Sequence, residues 1–225
     1  MPTILIIGIN RGIGLELARQ YLADGWVVHG TTRSGELPGG LADMPVRPIL
    51  HALDMRNPDQ IAGLGQQLGN VALDVLLVCA ATFDRVGGLG GNGAPIPRDQ
   101  VFAINTEAPI AIARAVYANL LAAPMAKLVF ISSSAGSRAR GEPRTDYGQS
   151  KAALNDAIRH YAPEWAHDGI IGVALNPGWV ATEMGGARGA LSPQESASGL
   201  RWVIDGLTPQ YCGTFLDHQG RFQPW

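Results

Sequence analysis

Four consecutive apolar residues, Ile4 to Ile7, run into Gly8-Ile9-Asn10-Arg11-Gly12-Ile13-Gly14, and Leu15 to Leu22 then carries its apolar residues at helical spacing. A short buried strand, a glycine turn and an amphipathic helix, in that order, restrict the fold more than any other stretch of the chain, because they form the opening unit of a parallel sheet. Glycines in such a turn let the backbone approach a pyrophosphate closely, while the helix N-terminus offers unpaired N–H groups and a favourable dipole. The spacing is Gly-x3-Gly-x-Gly, not the usual Gly-x-Gly-x2-Gly fingerprint, so by itself the turn also reads as plain architecture.

The alternation continues to the end of the chain. Strands are predicted at Val27 to Thr32, Pro48 to Leu53, Leu73 to Cys79, Lys127 to Ile131, Ile170 to Leu175 and Gly213 to Leu216. Ser34 to Pro45 is too rich in glycine and proline for a full helix. Asn57-Pro58 supplies an N-cap and first-turn proline for a helix to Leu68, and Ser192-Pro193-Gln194-Glu195 is a capping box opening a helix to Asp205. Asp99 to Leu121 has helical periodicity, with Asn105 in its first half and a bend expected at Pro109. Gly87 to Pro97, with five glycines and two prolines, reads either as a mobile loop at the pocket or as a tolerated insertion. Without repeats or a linker, the pattern predicts one doubly wound α/β domain over residues 1–225, a Rossmann-type parallel sheet with helices on both faces.

Composition removes several classes of function. A chain of 225 residues, 46% hydrophobic and 16% charged, can bury a sizeable core and still hold a pocket. Its net charge of -2 and lack of a basic run argue against nucleic-acid or membrane-surface partners. The first apolar run is too short for a signal-peptide core or a membrane span. Cys79 and Cys212 form no disulfide framework, so a reduced, cytoplasmic setting is expected. The five histidines, His160 and His167 included, show no metal-ligand spacing, and no metal is expected.

Chemistry enters with Asp146-Tyr147-Gly148-Gln149-Ser150-Lys151, where Tyr147 and Lys151 share one face of a predicted helix. A cation beside a phenol favours the phenolate and makes tyrosine usable as an acid or base near neutral pH. The strand ending at Ile131 delivers Ser132-Ser133-Ser134 to the C-terminal edge of the sheet, where open parallel sheets bind ligands. At the end of the second strand stands Thr31-Thr32-Arg33, where an NAD-binding fold would carry an acid for the ribose hydroxyl. Arg33, joined by Arg11, would meet a 2'-phosphate, which favours NADP(H) over NAD, with Glu36 the nearest competing acid. Asp54 ends the third strand at a position suited to the adenine.

Taken together these segments resemble the short-chain dehydrogenase/reductase family over essentially the whole chain. Gly8-x3-Gly12-x-Gly14, Ile131-Ser-Ser-Ser-Ala-Gly136, Tyr147-x3-Lys151 and Asn176-Pro177-Gly178 occur in the family's order, and Asn105-Thr-Glu-Ala-Pro109 resembles its Asn-x-x-Gly-Pro segment. Pro177-Gly-Trp-Val-Ala-Thr-Glu-Met-Gly-Gly186 and the closing Gly220-Arg-Phe-Gln-Pro-Trp225 are similar to the C-factor and sniffer-type carbonyl reductase branch, which is associated with NADP(H) and in some members with cell-cell signalling. The resemblance implies that Tyr147 is the general acid in reduction, that Lys151 lowers its pKa and bonds the nicotinamide ribose, and that Asn105 orders a water leading from Lys151 to solvent. Ser133 would hold the substrate oxygen, although counting back from Tyr147 with a shorter loop selects Ser134. It further implies cofactor contacts from Gly8, Asn10, Arg11, Gly12, Ile13, Gly14, Arg33, Asp54, Ala80, Pro177, Gly178, Val180 and Thr182, the last at the nicotinamide carboxamide. Two positions depart from the family pattern. Ile7 replaces the threonine usual before the first glycine, and Val78-Cys79-Ala80-Ala81 replaces Asn-Asn-Ala-Gly.

The implied activity is NADP(H)-dependent hydride transfer to or from a carbonyl or alcohol substrate. The rival is a catalytically silent NADP(H)-binding protein with a signalling or regulatory role. A serine hydrolase fits poorly, since the Gly-x-Ser-x-Gly elbow is missing. Trp179, Phe83 and Trp225 are candidate pocket aromatics, the segment Met184 to Leu191 its cover, and assembly as a homodimer or homotetramer stays open.

Overall fold

The computed structural model describes residues 1–89 and 91–225; Gly90, one of the five glycines between Gly87 and Pro97, lies outside the described residues. Among the described residues seven strands form one sheet: β1 (Thr3–Ile7), β2 (Val27–Thr32), β3 (Ile49–Ala52), β4 (Val75–Val78), β5 (Lys127–Ile131), β6 (Ile171–Asn176) and β7 (Thr214–Asp217). Their spatial order is β3-β2-β1-β4-β5-β6-β7, and every neighbouring pair is parallel. β1, β4 and the last four residues of β5 are buried throughout, as strands covered on both faces must be.

Side chains alternate between the faces with the period of two that a strand imposes. Leu5, Ile7, Leu76, Val78, Leu128 and Phe130 point into one core. There they meet α2 (Pro58–Ala62), α3 (Leu64–Leu68), α5 (Ala108–Ala115) and α7 (Asp146–His167). Ile4, Ile6, Val75, Leu77, Val129 and Ile131 point into the other, against α1 (Gly12–Ala23) and α8 (Pro193–Asp205). Each such fully buried aliphatic side chain contributes about 1.5–3 kcal/mol. The strand order reverses between β1 and β4, so the chain ends leaving β1, β4, β5 and β6 gather their functional residues at one C-terminal edge.

β2 and β5 have the bounds read from the sequence and the other strand ends shift by at most two residues, but two helical expectations change in kind. The helix opened by Asn57 is two short helices, because the chain breaks at Gly63; Asn57 still caps the first, its side chain accepting from the N–H groups of Asp59 and Gln60. The segment from 99 to 121 is not one regular α-helix. It comprises α4 (Arg98–Phe102), one π-helical turn (Ala103–Glu107), α5 and, after a break at Val116, α6 (Tyr117–Leu121). Pro109 lies in the first turn of α5, where its missing N–H costs nothing, while the wide turn is centred on Asn105. Between β2 and β3 only one 3-10 turn, Gly39–Leu41, forms, as the glycines and prolines there dictate. Of the described residues no helix is long and apolar enough to cross a membrane.

Candidate functional site

The glycine turn is shaped by close backbone packing. Gly8 has φ +90°, and a Cβ on Gly14 would lie 2.0 Å from the Gly8 carbonyl oxygen. Gly8 also packs on Ala80, whose small side chain leaves the two chain segments in contact. The threonine missing at Ile7 is replaced across the sheet: Thr31 on β2 accepts the Gly8 N–H with its hydroxyl at 2.9 Å and the Ile9 N–H with its carbonyl at 3.0 Å. The sequence carried this signal in the paired threonines ending β2, but only the fold brings Thr31 opposite Gly8. Arg11 occupies the N-cap of α1 without a capping bond, and no acid stands in the first turn. Among the described residues the N–H groups of Gly12 and Ile13 find no acceptor, and Asn10 beside them is exposed. Unpaired donors at a helix N-terminus, beside backbone no side chain fills, fit the pyrophosphate of a dinucleotide.

At the ribose end the two arginines part. Arg33 is exposed directly after β2 and has no ion-pair partner among the described residues. Arg11 is paired with Glu183, tying the glycine turn to the segment after β6. Asp54 is engaged by Arg56, whose Nη2 donates at 2.6 Å; that hydrogen bond, with Arg33 contributing, holds the carboxyl down at about 2. The Asp54 side chain is thus already bound in this structure, a competitor the sequence reading did not weigh.

The acid-base groups are held by buried hydrogen bonds. Tyr147 lies in the first turn of α7, half-buried, with the Phe83 ring 5.0 Å from its own. Lys151, one turn on, is 2% exposed; its ammonium sits 5.9 Å from the Tyr147 ring centroid and donates to the Ile131 carbonyl at 2.8 Å. Burial pulls Lys151 down to about 8, with Cys79 pushing it back up. Burial likewise pushes the Tyr147 phenol up to about 12; the Ser133 hydroxyl opposes this, and Cys79 and Asp84 add to it. Desolvation therefore outweighs the lowering expected from Lys151, and the phenol is protonated at neutral pH. Of the three serines, Ser133 accepts the Ala135 N–H at 3.2 Å, Ser132 donates to buried Asn155 at 2.6 Å, and Ser134 begins a 3-10 turn.

Asn105 is fully buried and its amide is spent on structure. Its Oδ1 accepts from Thr82 N–H at 2.8 Å, while Nδ2 donates to the Thr82 carbonyl at 2.9 Å and to the Ser150 hydroxyl at 3.0 Å. A water lead from Lys151 would have to use the Asn105 carbonyl. An α-helical bond onto that carbonyl would need the N–H that Pro109 lacks. Cys79 itself stands between the Gly14 N–H and Lys151, and burial pushes its thiol up to about 12.

After β6, Pro177 and Gly178 turn the chain, the Pro177 carbonyl accepting from Ser196 at 2.8 Å. Val180 is 4% exposed and pairs with Leu191, closing the segment 181–190 into a loop. Thr182 caps a turn within it, accepting from the Gly185 N–H at 3.0 Å, and its methyl approaches Gly12. Trp179 donates its indole N–H to the Gly185 carbonyl, while Trp225 stacks on Phe215 beneath Arg159. An open cleft of about 540 Å³ separates this loop from Gly87, Leu89 and Gly91, and the Leu89 N–H bonds the Met184 carbonyl at its floor. The sequence reading missed Asp84 altogether. Its carboxylate accepts the backbone N–H of Tyr147 from a loop 63 residues earlier.

Known proteins resemble this arrangement closely. A sequence model of the short chain dehydrogenase family matches residues 2–191. C-signal of Myxococcus xanthus is 36% identical over 128 residues, 56% of this chain and 77% of that protein. Carbonyl reductase Sniffer of D. melanogaster superposes with a TM-score of 0.87 at 26% identity, covering 100% of both chains. A carbonyl reductase from Pseudomonas aeruginosa PAO1 in complex with NADP superposes with a TM-score of 0.82 at 31% identity, again over 100% of both.

Proposed function

The chain belongs to the short chain dehydrogenase family, and from that premise we propose that it is an NADP(H)-dependent oxidoreductase acting between a carbonyl and an alcohol, with Tyr147 as the acid. The observation that carries the proposal is the convergence of Tyr147, Ser133 and Lys151 on the edge of the sheet that also presents the unpaired Gly12 and Ile13 N–H groups. All of residues 1–225 serve one nucleotide-binding domain in this reading, and a cytoplasmic setting suits its free cysteines.

NADP(H), when bound, supplies or accepts the hydride. Gly8, Asn10, Gly12, Ile13 and Gly14 would hold its pyrophosphate, and Arg33 its 2'-phosphate, with Arg11 joining if it leaves Glu183. Ala80, Pro177, Gly178, Val180 and Thr182 would line the nicotinamide half, and Asp54 would reach the adenine only in exchange for Arg56. Ser133 orients the substrate oxygen toward the phenol, Tyr147 donates its proton to that oxygen, and Lys151 returns a proton to the phenolate and is itself reprotonated from solvent through water held on the Asn105 carbonyl. Orientation and a pre-set proton donor are what the protein adds.

The test is a fluorescence titration with NADPH and NADH at one salt concentration. Tighter NADPH binding that Arg33→Ala weakens supports the reading; equal or tighter NADH binding removes its cofactor half. A silent nucleotide-binding protein would bind NADPH equally well and turn over none of a panel of aldehydes and ketones.

A further inference from the structure

The geometry points to Asp84 as a positioning residue for Tyr147, its carboxylate fixing the helix turn that carries the phenol and standing as a negative charge at that turn. This rests on the reductase reading and deepens it. Asp84 lies five residues beyond Cys79, in the segment that leaves β4 at the switch point. Its carboxylate accepts the Tyr147 N–H, and its carbonyl accepts the Ile96 N–H at 2.8 Å. Its neighbours are fixed too: Arg85 pairs with Pro95, and the Phe83 ring packs on the Tyr147 ring at 5.0 Å. The loop therefore presents Asp84 from an anchored base.

The helix end does not need a carboxylate there. Thr145 already caps α7 by accepting the Gly148 N–H at 3.0 Å, and an amide or hydroxyl oxygen would satisfy the Tyr147 N–H as well as a carboxylate does. What only the carboxylate adds is charge. Facing the phenol are Lys151 from α7, Ser133 beyond β5, Cys79 beyond β4 and Asp84; Asp146 at the same helix end is neutralised by Arg98. Asp84 is thus the negative group set against Lys151. It raises the proton affinity of Tyr147, which the Ser133 hydroxyl opposes. A tyrosine so placed takes its proton back readily after giving it up.

Two variants separate the roles. Asp84→Asn keeps an acceptor for the Tyr147 N–H and removes the charge; Asp84→Ala removes both. Tyr147 is read by fluorine NMR of protein carrying 3-fluorotyrosine, which brings phenol titration to milder pH, with Tyr147→Phe assigning the resonance. In Asp84→Asn the Tyr147 midpoint should fall, and the alkaline limb of carbonyl reduction should move the same way. Asp84→Ala should add a loss of roughly tenfold or more in kcat from misplacement of the phenol, a loss the asparagine variant does not share. An unmoved midpoint in Asp84→Asn overturns the proposal, even if the alanine variant fails to fold. If the parent reduces no carbonyl, the reductase reading falls, while the midpoint still decides what Asp84 does to Tyr147.

Discussion

The two halves of the site hold their functional groups in opposite ways. Around β1, α1 and β2 the fold offers backbone, namely glycines pressed against Gly8 and Ala80, unpaired N–H groups, and the exposed Arg33. Around β5 and α7 it offers side chains taken out of water: Lys151 on the Ile131 carbonyl, Asn105 on Thr82 and Ser150, Ser132 on Asn155. In the proposed function the first half would recognise its ligand by shape and charge; the second holds protons at altered affinity. A substitution in the first should cost binding or folding, and one in the second should cost turnover.

Lys151→Met should draw that line most sharply. It fills the same space without the buried ammonium, so turnover should fall by about 100-fold or more, while unfolding free energy stays within about 1.5 kcal/mol of the parent, since the lost bond to Ile131 is offset by relief of a buried charge. Substantial turnover in this variant would dissolve the contrast. Gly14→Ala should do the reverse, because its methyl has nowhere to go but the Gly8 carbonyl. We expect about 1–3 kcal/mol of destabilisation in denaturant melts, with nucleotide binding lost. Arg33→Ala should weaken NADPH binding about tenfold and leave NADH binding as it was. A fall in both affinities would mean that the arginine shapes the turn.

The smallest effect concerns protons in the nucleotide half. His29 on β2 and His51 on β3 are buried and hydrogen-bonded ring to ring at 2.9 Å, with His51 also on Gln67. Burial lowers both from the ordinary value of 6.5, and His51 adds to the lowering of His29. The unfolded chain therefore takes up these protons first as pH falls. Their contribution to stability is complete above about 6.5 and declines below it as pH approaches the lower folded values. Thermal melts against pH should show this acid-side slope, and His29→Gln should flatten it without changing nucleotide binding. An unchanged slope would leave this half without a proton-linked element.

How much of this was legible in the sequence follows the same division. The glycine turn, the capping box at Ser192 and the Tyr147-Lys151 spacing are local, and each stood in the structure as read, with the capping box complete. Partners far apart in the chain were not legible. Asp84 meets Tyr147 across 63 residues, Arg11 meets Glu183 across 172, and Thr31 takes the Gly8 N–H across 23. A single polar residue in a loop leaves no periodic trace, so only the sheet order reveals such pairs. The π turn at Asn105 escaped for a different reason: helical periodicity does not register one residue of extra width, and Pro109 drew attention to the wrong turn.

The central claim, that Tyr147 supplies the proton for carbonyl reduction, is tested most directly by following NADPH consumption against a panel of aldehydes and ketones for the parent and Tyr147→Phe together, with NADPH binding measured on both. The account predicts turnover in the parent, a loss of about 100-fold or more in kcat/KM in the variant, and equal nucleotide affinity. Turnover that survives in Tyr147→Phe would contradict it.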